Sequence, residues 1–304
     1  MSEPLHFVLL GHPVGHSVSP AIHAAAYRAL GAPHRYEVRD CPTPDDVRAQ
    51  VGRLRAGEIA GANVTVPYKR LALELADRCD ESARATGVAN VLSRAPDGQI
   101  VASNTDAGAL ADEIASLHAT PRQAAVIGAG GAAQAAVVAC RQLGIWRIGV
   151  SSRGWLLGTP RERWKHASVF ESLGAEAWAW PELGQDSHPE VFRAFSGASD
   201  VIVQATSAGM RGAGPGEAVS DWVPWRELRS GTVAIDVVYN PSVTPFLCAA
   251  EAAGVACRGG LGMLVRQAAL ALRIWLGQSP GWVEPDLAEL SAAAEAALAQ
   301  QWRS

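Results

Sequence analysis

The sequence predicts an α/β protein of two domains, and three observations carry that reading. Short β-branched or apolar runs alternate with helical segments along most of the chain, the pattern of a mostly parallel sheet. A glycine-rich turn, Gly128-Ala129-Gly130-Gly131-Ala132-Ala133, stands between one such run and a helix of small apolar residues. The chain has 304 residues, 48% of them hydrophobic, enough to bury two cores of ordinary size.

Composition narrows the partners. A net charge of -4 without any basic run argues against a nucleic-acid surface, which needs clustered lysine and arginine. Cys41, Cys79, Cys140, Cys248 and Cys257 are scattered and form no Cys-x-x-Cys pair, which points to a reducing cytoplasm and away from a disulfide framework or a zinc site. Met1 to Pro4 leads directly into a strand-like run, so no signal peptide is expected. Gln123 to Cys140 is uncharged and long enough to raise the question of a membrane span, but its glycine cluster belongs to a turn. The expectation is a soluble protein with a small-molecule partner, no nucleic acid and no membrane.

In the first half, His6 to Leu10 reads as a strand ending at Gly11-His12-Pro13, and Ser19-Pro20 opens a helix that runs to Leu30 and stops at Gly31. Ser19 thus has a capping job, whereas Ser17, just outside the helix, has none. His12, His16 and His23 are close in sequence, but Pro13, Gly15 and Pro20 break any register that would gather them on a metal, so no metal is expected. Arg35 to Arg39 alternates as a strand, and Pro42-Thr43-Pro44 starts a helix. Asn63 to Val66 is a strand that breaks at Pro67, with a helix from Tyr68 to Cys79. That corner delivers Asn63, Thr65 and Lys69 to the carboxyl end of a sheet, where open α/β folds bind ligands. Gly87 to Ser93 is a strand with a polar Asn90. After the turn at Pro96-Asp97-Gly98, Ile100 to Ala102 is another, leading through Asn104-Thr105-Asp106 into a helix that ends at Leu117. Thr105 or Asp106 could simply cap that helix.

In the second half, Ala124 to Ile127 is a buried strand that meets the glycine turn, and a helix follows through Leu143. This is the G-x-G-x-x-G/A dinucleotide turn of a Rossmann-like domain. Its first glycine permits the sharp turn, the second lets backbone N–H groups approach a pyrophosphate, and a small third residue lets helix pack on strand. Gly128, Ala129, Gly130, Gly131 and Ala132 are therefore read as cofactor-binding. The next strand, Ile145 to Val150, ends at Ser151-Ser152-Arg153, where an NAD enzyme would place an acid; an arginine favours a 2′-phosphate and hence NADP, with NAD as a weaker alternative. Arg161 and Arg163, on a helix from Arg161 to Leu173, are further candidate cations, and Trp155 is read as covering part of the adenosine site or packing in a loop that closes over it. Strands follow at Glu176 to Trp180, Asp200 to Gln204 and Thr232 to Val237. Helices from Gly259 to Leu276 and from Glu284 to Gln301 close the chain and are expected to fold back on the first domain.

Taken together, His16-Ser17-Val18-Ser19-Pro20, Gly61 to Lys69, Ala89-Asn90, Asn104-Thr105-Asp106, Gly128 to Ala132, Ala205-Thr206-Ser207, Asp236 to Tyr239 with Pro241, and Gly260-Leu261-Gly262-Met263-Leu264 with Gln267 resemble, in order and over nearly the whole chain, the shikimate dehydrogenase family. The resemblance implies reversible hydride transfer between NADP and C3 of shikimate, giving 3-dehydroshikimate, in aromatic amino acid biosynthesis. It implies Lys69 and Asp106 as catalytic residues. Ser17, Ser19, Asn63, Thr65, Asn90, Asp106, Tyr239 and Gln267 would hold substrate, and Ser152, Arg153, Thr206, Ser207 and Gly260 would join the glycine turn around the cofactor. The corresponding domains are residues 1–105 with 260–304 for substrate and catalysis, and 106–259 for NADP, in a monomer or homodimer.

The chemistry agrees with the resemblance. Oxidising a secondary alcohol takes a proton from oxygen as hydride leaves carbon, and a lysine beside a carboxylate offers groups that can take that proton and return it. Two departures stand out: Ser152-Arg153-Gly154 runs into Trp155-Leu156-Leu157-Gly158 where the family carries a second basic residue, and Gln204 replaces the usual asparagine. Relatives acting on quinate or aminoshikimate share most of these motifs.

Overall fold

The protein is described here by a computed structural model, which covers residues 3–156, 159–180, 190–279 and 281–301. Leu157 and Gly158 of the unusual loop lie outside the described residues. The chain divides into two compact units, Met1–Ala109 with Leu264–Ser304, and Leu110–Met263.

The first unit holds strands β1 (His6–Gly11), β2 (Arg35–Asp40), β3 (Gly61–Val64), β4 (Arg78–Cys79), β5 (Val91–Arg94) and β6 (Ile100–Ser103) in one sheet of order β2-β1-β3-β5-β6-β4. β1 pairs in parallel with β2 and β3, and β4 with β6, whereas β5 runs antiparallel to β3 and β6. The antiparallel pairing of β5 with β6 follows from the tight turn at Pro96-Asp97-Gly98, which returns the chain beside the strand it has left. Helices α1 (Ser19–Ala29), α2 (Pro44–Arg55), α3 (Lys69–Leu75) and α4 (Glu81–Thr86) connect these strands. α2 begins where the sequence places it, because Thr43 and Asp46 form a reciprocal capping box ahead of a proline. Val8, Leu10, Val47, Leu54, Val64 and Leu92 belong to the core of this unit. The helix expected from Tyr68 to Cys79 is shorter: it ends at Leu75, because Arg78 and Cys79 leave it to pair as β4 with Val101 and Ala102.

Helix α5 (Asp106–Leu117) leads out of the first unit into the second. There β7 (Gln123–Ile127), α6 (Gly131–Gln142), β8 (Arg147–Leu156), α7 (Ala167–Ser172), β9 (Glu176–Trp180), α8 (Glu190–Gly197), β10 (Val201–Gln204), α9 (Glu217–Ser220), β11 (Val233–Asp236), α10 (Pro245–Ala252) and β12 (Ala256–Arg258) follow in order. The sheet order is β12-β11-β10-β7-β8-β9 and every pair is parallel. Strand order therefore reverses at β7, the switch point at which doubly wound sheets bind dinucleotides. β8 runs on through Arg153 to Leu156 with a register irregularity between Ser151 and Leu156. The helix expected from Arg161 is instead a 3-10 turn at Arg161–Arg163 followed by α7.

Helix α11 (Leu261–Leu276) returns the chain to the first unit, and α12 (Leu287–Gln301) packs on α1. Leu290, Ala294 and Leu298, each four residues apart, form the buried stripe of α12. Among the described residues no helix is long and apolar enough to cross a membrane.

Candidate functional site

The carboxyl end of β3 and the start of α5 bring the first unit's polar residues together. Lys69, the first residue of α3, places Nζ 2.5 Å from Asp106 Oδ2, with both side chains largely buried. Asp106 Oδ1 accepts from Asn90 Nδ2 at 2.9 Å. Asn90 Nδ2 also reaches Thr105 Oγ1 at 3.0 Å and Gln267 Oε1 at 3.4 Å, while its Oδ1 accepts from the Thr105 N–H. Gln267 Nε2 is anchored on the Leu264 carbonyl of the preceding turn. A buried amide with this many partners is costly to disturb, because each orphaned polar group forfeits about 1–3 kcal/mol.

Asp106 has no capping role. Asn104 does that work: its Oδ1 accepts from the N–H groups of both Asp106 and Ala107, which leaves the Asp106 carboxylate free for Lys69. Ser19 does not take the capping role expected of it either. α1 has no side-chain cap at its start, and Ser17 Oγ accepts the Ser19 N–H at 3.2 Å while donating to Ser19 Oγ at 3.1 Å. Proline at the second helical position removes one orphan donor, so Ser19 is not needed as a cap. The His16 loop that carries Ser17 is held from the far end of the chain, where Gln301 Nε2 donates to the His16 carbonyl. Thr65 follows β3, with its N–H on the Leu10 carbonyl and its methyl group against Gly11.

Tyr36, which sequence reasoning passed over, and His23, which it read as no metal ligand, complete this side. Tyr36 of β2 donates its hydroxyl to Asn63 Oδ1 at 2.7 Å, and Asn63 Nδ2 donates to the Asn90 carbonyl at 3.3 Å. The ring of His23 lies flat on Tyr36, with centroids 3.9 Å apart and planes within 5°. His23 is completely buried and neither ring nitrogen has a hydrogen-bond partner of normal geometry. Burial drives its pKa from the usual 6.5 down to about 3, against an opposing influence of Asn63. An unfolded chain would take up this proton below about pH 6.5 while the folded one does not, so stability is complete above that pH and is lost as pH falls towards 3. The loss approaches about 1.4 kcal/mol per pH unit. His23→Phe, which keeps a ring on Tyr36, is expected to flatten the acid limb of a urea-unfolding series from pH 7 to 4; an unchanged slope would mean that His23 is protonated in the fold.

The second unit carries the glycine turn. Gly128 has φ +130, and a Cβ there would stand 2.8 Å from the Ala205 carbonyl oxygen, so only glycine fits. Nothing lies within 4 Å of a Cβ built on Gly130, which leaves open space in front of α6. No side chain caps α6, so the N–H groups of its first turn, at Gly131, Ala132 and Ala133, are available to an anion. These features fit a pyrophosphate. Thr206 and Ser207 follow β10 beside Gly128: the Thr206 N–H donates to Gln204 Oε1 at 2.5 Å, and Thr206 Oγ1 accepts from the Ala208 N–H. Gln204 therefore supports this turn despite replacing asparagine, and its Nε2 bonds the Ala208 carbonyl and, at 3.3 Å, Asp236 Oδ1. Asp236, pushed up to about 6 by burial, also accepts from the Val238 N–H and Thr244 Oγ1, ordering the loop on which the half-buried Tyr239 sits. Gly260 is a glycine because the Val237 carbonyl occupies the position of its missing Cβ.

Arg153 is exposed beyond the half-buried Ser152, and its guanidinium lies 3.9 Å from a Cβ built on Gly214 in the loop after β10. Arg161 does not join it: that guanidinium is bound by Glu171 at 2.9 Å and by the Ala177 carbonyl, and it lies over Trp164. Trp155 does not cover a cofactor site. It is 1% exposed, stacks on Trp164, meets Phe170 edge-on and donates Nε1 to the Lys165 carbonyl, because continuation of β8 turns alternate side chains inward.

Comparison with known proteins places this combination of a polar sheet end and a glycine turn in one family. Residues 9–92 match the substrate-binding domain of shikimate dehydrogenase, and residues 260–281 match the shikimate 5′-dehydrogenase C-terminal domain. The shikimate dehydrogenase (NADP(+)) of Rubrobacter xylanophilus is 37% identical over 90% of this chain and 90% of its own. That of Citrifermentans bemidjiense is 36% identical over 92% and 93%. Among solved structures, shikimate 5-dehydrogenase from Thermus thermophilus, in complex with NADP(H) and shikimate, is 31% identical with a TM-score of 0.77, over 96% of this chain and 99% of that one. Identity at this level across nearly the full length, with the motifs in the same order, means that the chain belongs to the shikimate dehydrogenase family.

Proposed function

We propose that this protein catalyses the reversible, NADP-dependent reduction of 3-dehydroshikimate to shikimate, as a cytoplasmic enzyme that works as a monomer or homodimer. The observation that carries the reading is the buried Lys69–Asp106 pair, 2.5 Å apart and framed by Asn90 and Gln267. A nicotinamide cofactor held at the glycine turn would supply the hydride acceptor for C3 of shikimate, and the donor in the reverse direction. The Lys69–Asp106 pair takes the hydroxyl proton as hydride leaves and gives it back in reduction. Asn90 holds Asp106 through Oδ1, so that Oδ2 stays on Lys69. Ser17, Ser19, Asn63, Thr65, Asn90, Tyr239 and Gln267 hold the carboxylate and hydroxyls, a set of hydroxyl and amide groups suited to a polyhydroxylated acid.

The uncapped first turn of α6 and the open face of Gly130 support pyrophosphate binding in the second unit. Gly128, Ala129, Gly130, Gly131, Ala132, Thr206, Ser207 and Gly260 form that side, and Ser152 and Arg153 take the 2′-phosphate. With Arg161 committed to Glu171, Arg153 carries the discrimination between cofactors without its help. A charge-assisted contact of this kind contributes roughly 1.5–3 kcal/mol, or about one to two powers of ten in affinity.

Initial rates with shikimate and quinate, each against NADP and NAD, test the reading directly. Shikimate with NADP is expected to be the fastest combination; preference for NAD, or quinate turnover exceeding shikimate turnover, would overturn it. In the same assay Arg153→Ala is expected to raise KM for NADP by about one to two powers of ten and to leave NAD nearly untouched. Equal losses with both cofactors would mean that Arg153 supports its loop instead of the phosphate.

A further inference from the structure

We propose that Tyr36 is a positioning residue for substrate recognition, whose hydroxyl holds Asn63 Oδ1 so that the Asn63 amide keeps an N–H aimed at substrate. The inference rests on the reading of Asn63 as a substrate-binding residue. It adds a residue that makes no substrate contact of its own.

The orientation of the Asn63 amide follows from proton counting. Asn63 Nδ2 lies on the backbone carbonyl of Asn90, which can only accept, so the nitrogen must stand there and Oδ1 must face Tyr36. A phenol has one proton, and at 2.7 Å Tyr36 gives it to Asn63 Oδ1. The amide of Asn63 retains one N–H beyond the bond to Asn90, so it presents a donor and selects an acceptor oxygen on the ligand.

The surroundings of Tyr36 hold this arrangement in place. Face-to-face packing on a fully buried His23 restrains the phenol ring, and pairing of Tyr36 with Phe7 in the β1–β2 ladder fixes its backbone. Without the phenol hydroxyl, Oδ1 of Asn63 would lose its donor, and the amide would be held by the Asn90 carbonyl alone, so that its remaining N–H is less firmly aimed.

Steady-state kinetics on Tyr36→Phe, Asn63→Ala and the double variant test the proposal. Tyr36→Phe keeps the ring and the His23 stack, and it is expected to raise KM for shikimate about tenfold while kcat and KM for NADP stay close to wild type and Tm falls modestly through the orphaned Asn63 oxygen. In the Asn63→Ala background the same change is expected to have no further effect, because its target is gone. Asn63→Asp keeps an acceptor for Tyr36 and loses the N–H, so it should impair shikimate binding at least as much as Asn63→Ala. A wild-type KM in Tyr36→Phe, or a full tenfold effect added on top of Asn63→Ala, would overturn the positioning role of Tyr36 while leaving the enzyme reading intact. Failure of the wild-type protein to oxidise shikimate with NADP would overturn that reading and this one with it.

Discussion

Replacing Lys69 with alanine is expected to lower kcat for shikimate oxidation by about 10²–10⁴-fold while KM stays within a small factor. The split follows from where the interaction belongs. The lysine nitrogen faces a carboxylate at 2.5 Å in a site where its side chain is only 17% exposed, so a proton can be exchanged with a substrate hydroxyl without bulk water intervening. Most of its value appears as the hydroxyl loses its proton, which makes it a transition-state interaction. Removing the ammonium also leaves Asp106 buried without its counter-charge, and breaking such a pair can cost about 3–5 kcal/mol. Rates should therefore be read beside Tm, at a temperature where the variant is folded. A large rise in KM at unchanged kcat would make Lys69 a binding residue.

Asp106→Asn is expected to reduce kcat by at least about 10²-fold, with little loss of helix stability. The second half of that expectation is specific to this structure: Asn104 caps α5, so the Asp106 side chain can change without uncapping the helix. Asn104→Ala should behave in the opposite way, costing about 1 kcal/mol of stability through the cap. An amide at position 106 can still engage Asn90 but offers Lys69 no charge, so the variant isolates the electrostatic partnership. A nearly wild-type rate would remove Asp106 from the chemistry. The pH profiles of kcat/KM in the two variants then distinguish the proton carrier from its partner, because the limb belonging to the carrier disappears only when the carrier is changed.

Much of the fold was legible in the residues themselves. Thr43-Pro44 with Asp46 starts α2 through a capping box, Pro96-Asp97-Gly98 turns β5 back on β6, and Gly128 to Ala133 lies between β7 and α6 as the strand-turn-helix pattern requires. Errors came where local chemistry allowed two outcomes. Arg78 and Cys79 could continue a helix, but strand pairing with β6 prevailed. The segment after Ser151 was expected to leave the strand at Val150, yet inward packing of Trp155 against Trp164 and Phe170 keeps it extended.

The sequence by itself determined the α/β class, the dinucleotide turn and the residue types that suit a polyhydroxylated acid, because capping, turn chemistry and strand alternation act between residues a few positions apart. Only the tertiary structure decided which hydroxyl and which carboxylate are free for chemistry. Lys69 meets Asp106 across 37 residues, Tyr36 meets Asn63 across 27 and Asn90 meets Gln267 across 177. A local rule cannot see those partners. It offers Asp106 and Ser19 as caps because each stands where a cap would serve, whereas the folded chain uses Asn104 for one helix and starts the other with a proline. Arg161 shows the same limit from the cofactor side: proximity in sequence to Arg153 made it a candidate for the 2′-phosphate, and a carboxylate on α7 takes it away.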